Sequence, residues 1–293
     1  MKLFADFLFY IFLFSYSSVS TVCNKGVNEK REVLIQQDSM NVSYGTDVAQ
    51  KMDVYLPASR TSENTKVLVL IHGGSWSGGD KSEFNAAIPV LRQQLKDFAF
   101  FNINYRLANG NRSSSKFPAQ IEDVQSAIDF ITTKADEYNI NPDKIALLGV
   151  SAGAHLALLQ AYKNNSDGRI KAIVDLFGPT DLVTLYNNHP FGPASQSALF
   201  NFLKSSPTSN PGLYRDASPI NFVNAQSVPT QIFHGAGDIV VPIVQSTALK
   251  TKLEAANAKV EMIVYPNEGH GWFGANLFDT YAKAVSFIQQ NVK

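Results

Sequence analysis

Hydrophobic positions in this chain fall in short runs rather than in one long span. From about residue 41 onward, runs rich in β-branched residues at 53–56, 67–72, 99–105, 144–149, 170–177, 229–234 and 260–265 alternate with stretches whose apolar residues return every third or fourth position. Ile121, Val124, Ile128 and Ile131 form one such helical series. This alternation predicts an α/β fold, a mostly parallel central sheet with helices on both faces. The interval 178–228 breaks the rhythm. It is dense in Pro, Asn, Ser and aromatic residues, and predicts an elaborated loop or small lid between two strands. No internal repeat and no low-complexity segment interrupts the pattern.

Composition narrows the picture. The 293 residues would divide into two domains by length alone, but α/β folds often place roughly 200 to 250 residues around one sheet, so a single domain over 41–293 is expected. A linker is expected over 21–40. The 25 basic and 25 acidic residues cancel, and no basic stripe appears, which argues against nucleic acid as a partner. The first twenty residues read differently. Lys2 precedes an apolar run from Phe7 to Phe14, and Ser18 and Ser20 stand where a signal peptidase requires small residues. An export signal over 1–20 is expected, with a periplasmic or secreted destination. The single cysteine, Cys23, lies just beyond it, where an incidental thiol and a lipid-acceptor cysteine are equally open readings. A membrane enters the picture only through a lipid at Cys23 or an uncleaved signal. One cysteine excludes an intrachain disulfide and a cysteine-based zinc site.

Candidate chemistry starts at "KIALLGVSAGAHLALLQAY", where a strand passes into a helix through G-x-S-x-G. In a parallel sheet, reactive side chains collect at the carboxyl ends of strands. Ser151 stands at such an end, between Gly149 and Gly153, on a turn too sharp for β-carbons at the flanking positions. Taken alone the motif serves equally well as a helix N-cap. A serine hydroxyl becomes a nucleophile only beside a base, and the base needs an orienting carboxylate. "FHGAGDIVVP" places Asp238 on the loop beyond a buried strand, a position that also suits a simple turn. "YPNEGHGWF" places His270 between two glycines after the following strand. Glu254, Glu261, Glu268 and Asp279 fit the acid's place less well, and Asp216 is an outside candidate. Of the other histidines, His155 is expected to pack, His234 to end a strand, His189 to sit in the insertion and His72 to shape a glycine loop. No histidine pair has a recognised metal-ligand spacing.

"VLVLIHGGSWSGGD" sets a strand against a glycine pair whose backbone N–H groups could face a developing oxyanion, or could form an unliganded turn. With "HGGSW", "GVSAGAHLA", "HGAGDIVVP" and "EGHGWF" in place, and "MDVYLP", "NYRLA" and "FPAQIEDVQSAIDFI" at their usual positions, the chain resembles the α/β-hydrolase superfamily over about residues 41–291. It is most similar to the carboxylesterase branch with an HGG oxyanion loop, which takes in hormone-sensitive-lipase-like, feruloyl-esterase-like and acetylesterase-like enzymes. The resemblance implies a serine esterase with Ser151, Asp238 and His270 as catalytic residues. It assigns the oxyanion donors to the N–H groups of Gly74, Ser75 and Ala152, and needs no cofactor and no metal. Ser75 replaces the third glycine of the usual triplet, and the short stretch before the first strand moves the expectation from bulky lipid esters to the compact feruloyl-esterase-like group.

A small-molecule or glycan-linked ester, such as an acetyl or feruloyl group on carbohydrate, is the expected substrate. Tyr186, Phe191, Phe200, Phe202 and Tyr214 either line its pocket or pack the insertion onto the sheet. An arylformamidase-like amidase would use the same residues. A non-catalytic binding module is the alternative from another class, and such proteins commonly lose a member of the triad.

Overall fold

The computed structural model describes residues 34–109, 115–190 and 192–293. The expected export signal, Cys23 and Phe191 lie outside the described residues. The folded body runs from Leu34 to Lys293. Its eight strands are β1 (Gln37–Ser43), β2 (Lys51–Leu56), β3 (Lys66–Ile71), β4 (Phe98–Ile103), β5 (Ile145–Val150), β6 (Ile170–Leu176), β7 (Thr230–Gly235) and β8 (Val260–Tyr265). They pair in the order β1-β2-β4-β3-β5-β6-β7-β8. β2 runs antiparallel to β1 and to β4, and from β4 to β8 every pairing is parallel. Seven of these strands coincide with the apolar runs. β1 does not: it begins inside the segment expected to be linker. Its sequence, QDSMNVS, is largely exposed, so no buried face marks it as a strand.

The helices are α1 (Ala87–Gln94), α2 (Ala119–Thr133), α3 (Ala135–Tyr138), α4 (Ala152–Lys163), α5 (Leu182–Asn188), α6 (Pro193–Leu203), α7 (Pro211–Asp216), α8 (Val244–Ala255) and α9 (Gly274–Asn291). β3 shows how the layers arise. Val67, Val69 and Ile71 point into a core shared with α2, α4 and α8, while Leu68 and Leu70 point into a second core beneath α1 and α9. Alternate side chains of a strand face opposite ways, so a strand covered on both faces, as β3 is, reads as a near-continuous apolar run. The crossover helices thereby leave the carboxyl ends of β3, β5, β6, β7 and β8 together at one edge, and the loops there carry the polar motifs.

The insertion between β6 and β7 folds as α5, α6, α7 and a short helical turn at Pro219–Phe222. Phe202 and Tyr214 are wholly buried and belong to the main core. They pack the insertion onto the body; Phe200 is exposed. Among the described residues no helix is long and apolar enough to cross a membrane.

Three buried side chains in the sheet, Asn102, Asp175 and Gln231, each keep one polar atom unpartnered among the described residues, and Asp175 is the carboxylate among them. Asp175 on β6 is fully buried; its Oδ1 accepts the Gly178 N–H at 2.7 Å, and its Oδ2 lacks a partner among the described residues. Burial pushes its carboxyl up to about 7, against the Gly178 bond and the neighbouring His234. The folded protein therefore holds this proton more tightly than the unfolded chain. That contribution to stability is full below the ordinary carboxylate range and is lost as pH rises to about 7. Asp175→Asn removes the ionisation. Its urea midpoint relative to the parent should climb between pH 4 and 7; a gap constant over that interval would contradict the assignment.

Candidate active site

Ser151 links β5 directly to α4. Its backbone sits at φ 53° and ψ −116°, a left-handed conformation rare for a residue with a side chain, and strain of this kind costs about 1–3 kcal/mol. The two glycines explain how the turn closes. A β-carbon on Gly149 would stand 2.4 Å from the Gly153 carbonyl oxygen, and one on Gly153 would stand 2.1 Å from that of Ile71. Both are below any tolerable contact, so β3, β5 and α4 meet backbone to backbone. The Ser151 N–H donates to the Leu176 carbonyl at 2.8 Å, which fixes the turn to β6.

The turn aims the hydroxyl at His270. The Ser151 Oγ lies 2.9 Å from His270 Nε2, and His270 Nδ1 lies 2.7 Å from Asp238 Oδ2. Residues separated by 119 and 32 positions thus meet at one edge of the sheet. Asp238 follows β7, and its other oxygen accepts the N–H groups of Val240 at 2.8 Å and Val241 at 2.9 Å. Burial works against its ionisation. Hydrogen bonds from His234, His270 and the Val241 N–H outweigh that effect and hold the carboxyl well below the usual carboxylate range. His270 rests edge-on against Phe177, with ring centres 4.6 Å apart.

The glycine loop after β3 forms the opposite wall. Gly74, Ser75 and Trp76 all have positive φ, at 100°, 51° and 59°. The Gly74 carbonyl accepts the N–H groups of Ser77 and Gly78, closing a tight turn. The Gly73 N–H is taken by Glu83 Oε2 at 3.2 Å. Gly74 and Ser75 line a cavity with Ser151, and Ala152 stands at the N-terminus of α4, where backbone N–H groups have no partner within the helix.

The remaining histidines have other occupations. His72 is buried, bonds the Gly73 carbonyl through Nδ1 and stacks on Tyr105. His189 bonds the Val240 carbonyl. His234 takes more than the strand-ending place expected of it: Nε2 donates to the Val241 carbonyl at 2.8 Å and lies 3.4 Å from Asp238 Oδ2, so it helps to fix the acid. His155 packs and also bonds. Its Nδ1 accepts the Trp76 indole N–H at 3.1 Å, and its Nε2 donates to the Ala217 carbonyl at 2.7 Å. Burial pushes its pKa down to about 4, so it stays neutral and tethers the glycine loop to α4 and to the end of the insertion. Nothing in the sequence marked this bond, since Trp76 and His155 meet only after folding. Of the other candidate carboxylates, Glu254 pairs with Lys250, Asp279 with Lys283, Glu261 with Gln231, and Glu268 with Asn276, so among the described residues Asp238 is the carboxylate at the imidazole. Asp216 lies at the end of α7 in the insertion.

A scan of family models matches residues 52–253 to BD-FAE. The chain belongs to the BD-FAE family. Among curated relatives, it is 27% identical to Esterase LipC of Mycobacterium tuberculosis over 79% of this chain and 59% of that one, and 31% identical to Esterase LipQ of the same organism over 70% and 50%. The match therefore spans little more than half the length of these relatives. A solved structure described as a truncated form of carbohydrate esterase from gut microbiota superposes with a TM-score of 0.74 at 27% identity, covering 87% of this chain and 95% of that one. The BD-FAE chain thus has the α/β-hydrolase fold that its sequence resembles.

The tether between the glycine loop and α4 can be tested by Trp76→Phe, which keeps the stacking on Phe202 but leaves His155 Nδ1 unpaired in the core. Chemical denaturation should show a loss of about 1–3 kcal/mol. A variant as stable as the parent would show that the bond contributes nothing.

Proposed function

We propose that this BD-FAE chain hydrolyses carboxylic esters through an acyl-enzyme on Ser151. The observation that carries the reading is the unbroken relay from Ser151 Oγ through His270 to Asp238, at 2.9 Å and 2.7 Å. As Oγ attacks the carbonyl carbon, its proton passes to His270 Nε2, and the depressed pKa keeps Asp238 ionised opposite the imidazolium. Negative charge collects on the carbonyl oxygen, where the N–H groups of Gly74, Ser75 and Ala152 receive it. Removing one such donor typically costs about 3–4 kcal/mol of barrier lowering. The bond to the alcohol oxygen then breaks as that oxygen takes the proton from His270. Water, deprotonated by the same imidazole, adds to the acyl carbon and releases the acid, restoring the serine.

The esterase names of the curated relatives and the carbohydrate esterase neighbour support this reading. Of the acyl groups suggested by the resemblance, acetyl suits the smaller of two cavities that open beside Ser151, of about 200 Å³. For the alcohol, the name of the structural neighbour favours a carbohydrate. The lining of the second cavity, with Phe84, Leu91, Leu148 and Phe177, favours an apolar group. The pattern from Lys2 to Ser20 supports export and hence an extracytoplasmic ester as substrate.

A fluorinated alkylphosphonate should label the parent protein stoichiometrically and leave Ser151→Ala unlabelled, as read by intact mass. No labelling of the parent, with no turnover of nitrophenyl acetate, would favour the binding-module alternative. Labelling with turnover of formanilides but not of esters would favour the amidase. Asp238→Asn should keep the fold but lower kcat about 10⁴-fold, because the amide stabilises the wrong imidazole tautomer. A loss below about tenfold would remove Asp238 from its assigned role.

A further inference from the structure

Two cavities meet at Ser151, and they differ in size, lining and in which catalytic groups they touch. The smaller, of about 200 Å³, lies under the insertion against Trp76, Ala152, Leu185, Leu199 and Val241. The larger, of about 610 Å³, runs past His270, Gly271 and Trp272 into the space between α1 and α9, where it reaches Leu91 and Ala284, both wholly buried in the second core. Phe84, Leu148 and Phe177 also form its walls, and Phe273, 87% exposed, stands at its lining as a free apolar ring.

The chemistry assigns a side to each half of the ester. The proton that His270 takes from Ser151 must be delivered to the departing oxygen, so the alcohol has to sit on the face that carries the imidazole. The acyl chain points the other way. Ser75 and Val240 border both cavities, but His270 lines only the larger one; among the described residues, the wall of the smaller one is Trp76, Ala152, Val241 and the insertion. We infer that the larger cavity receives the alcohol and the smaller one the acyl group, and that the preferred substrate joins a short acid to a bulky apolar alcohol. This rests on the esterase reading above.

The polar groups in the larger cavity bear on the choice of alcohol. At the exposed end, Glu83 Oε2 accepts the Gly73 N–H at 3.2 Å and Ser75 adds a hydroxyl, so polar groups stand near Ser151 while the deeper wall of Leu91, Leu148 and Phe84 is apolar. The Thr280 hydroxyl accepts the Trp272 indole N–H at 2.8 Å and donates to the Asn276 carbonyl at 2.7 Å. Tyr281 adds one phenol. A sugar brings a hydroxyl on nearly every carbon, and each one buried against Leu91, Leu148 and Phe84 without a partner opposes binding. An aryl or alicyclic alcohol brings no such demand and gains from every apolar wall.

The test compares esters of alkyl alcohols of similar basicity, so that the pocket rather than the leaving group decides. Naphthylmethyl acetate should have a higher kcat/KM than ethyl acetate or an acetylated methyl glucoside, and naphthylmethyl acetate or butyrate should exceed the octanoate. Leu277→Trp narrows the larger cavity from α9, and should lower the ratio of naphthylmethyl acetate to ethyl acetate about tenfold, a change of about 1.4 kcal/mol. Ala198→Trp narrows the smaller one from α6, and should lower the ratio of butyrate to acetate. Phe273→Ser, at a surface position that folding does not depend on, should shift the alcohol ratio in the same direction as Leu277→Trp. Preference for the acetylated glucoside, or crossed responses in which Leu277→Trp alters acyl length and Ala198→Trp alters alcohol choice, would overturn the assignment while Ser151 still labels. Loss of both labelling and turnover would remove the esterase reading, and the assignment with it.

Discussion

The site depends on one constraint, the close approach of three backbones at the end of β5. Gly149, Gly153 and the Ile71 carbonyl leave no room for a β-carbon, and Ser151 is forced into a left-handed turn. The strain, about 1–3 kcal/mol, is offset by burial of α4 between the sheet and α2. The result is a hydroxyl held out from the sheet, at the start of a helix, with its direction set by the backbone rather than by a flexible loop. A hydroxyl so placed would lose little entropy on attacking a substrate.

The other parts are held to that fixed point by different means. His270 and Asp238 ride on loops after β8 and β7, and the acid is gripped by two backbone N–H groups and by His234. The glycine loop after β3 is held at positive φ by its own turn, by Glu83, and through Trp76 by His155 on α4. His155 lies one helical turn after Ser151, so the helix that sets the serine also anchors the opposing wall. Behind that wall, Lys81 and Asp53 form a buried ion pair at 2.9 Å that ties the segment following the loop to β2.

Much of this was legible in the sequence, for physical reasons. Strands buried on both faces are largely apolar, so β3 to β7 announce themselves, the half-buried edge strand β8 still shows Met262 and Ile263, and reactive residues of a parallel sheet stand at strand ends, which pointed to Ser151, Asp238 and His270. β1 was not legible. An exposed edge strand needs no apolar face, and QDSMNVS carries none. Composition marked the interval 178–228 as distinct, but whether its aromatics bind or pack depends on tertiary contacts, and Phe202 and Tyr214 turn inward. The left-handed backbone of Ser75 and Trp76 was likewise hidden, because neither residue favours it and only the surrounding hydrogen bonds impose it. The two cavities were invisible for the same reason: their walls come from α1, α6, α9 and loops distant in sequence.

The measurement that bears most directly on the strained turn as organiser of the site is a crystal structure of the protein with a phosphonate bonded to Ser151. The backbone at Ser151 should keep its positive φ, with one phosphoryl oxygen about 2.7–3.1 Å from the N–H groups of Ala152 and of Gly74 or Ser75, and His270 Nε2 on the opposite side. A relaxed turn at Ser151, or a phosphoryl oxygen directed into solvent away from the glycine loop, would contradict the account.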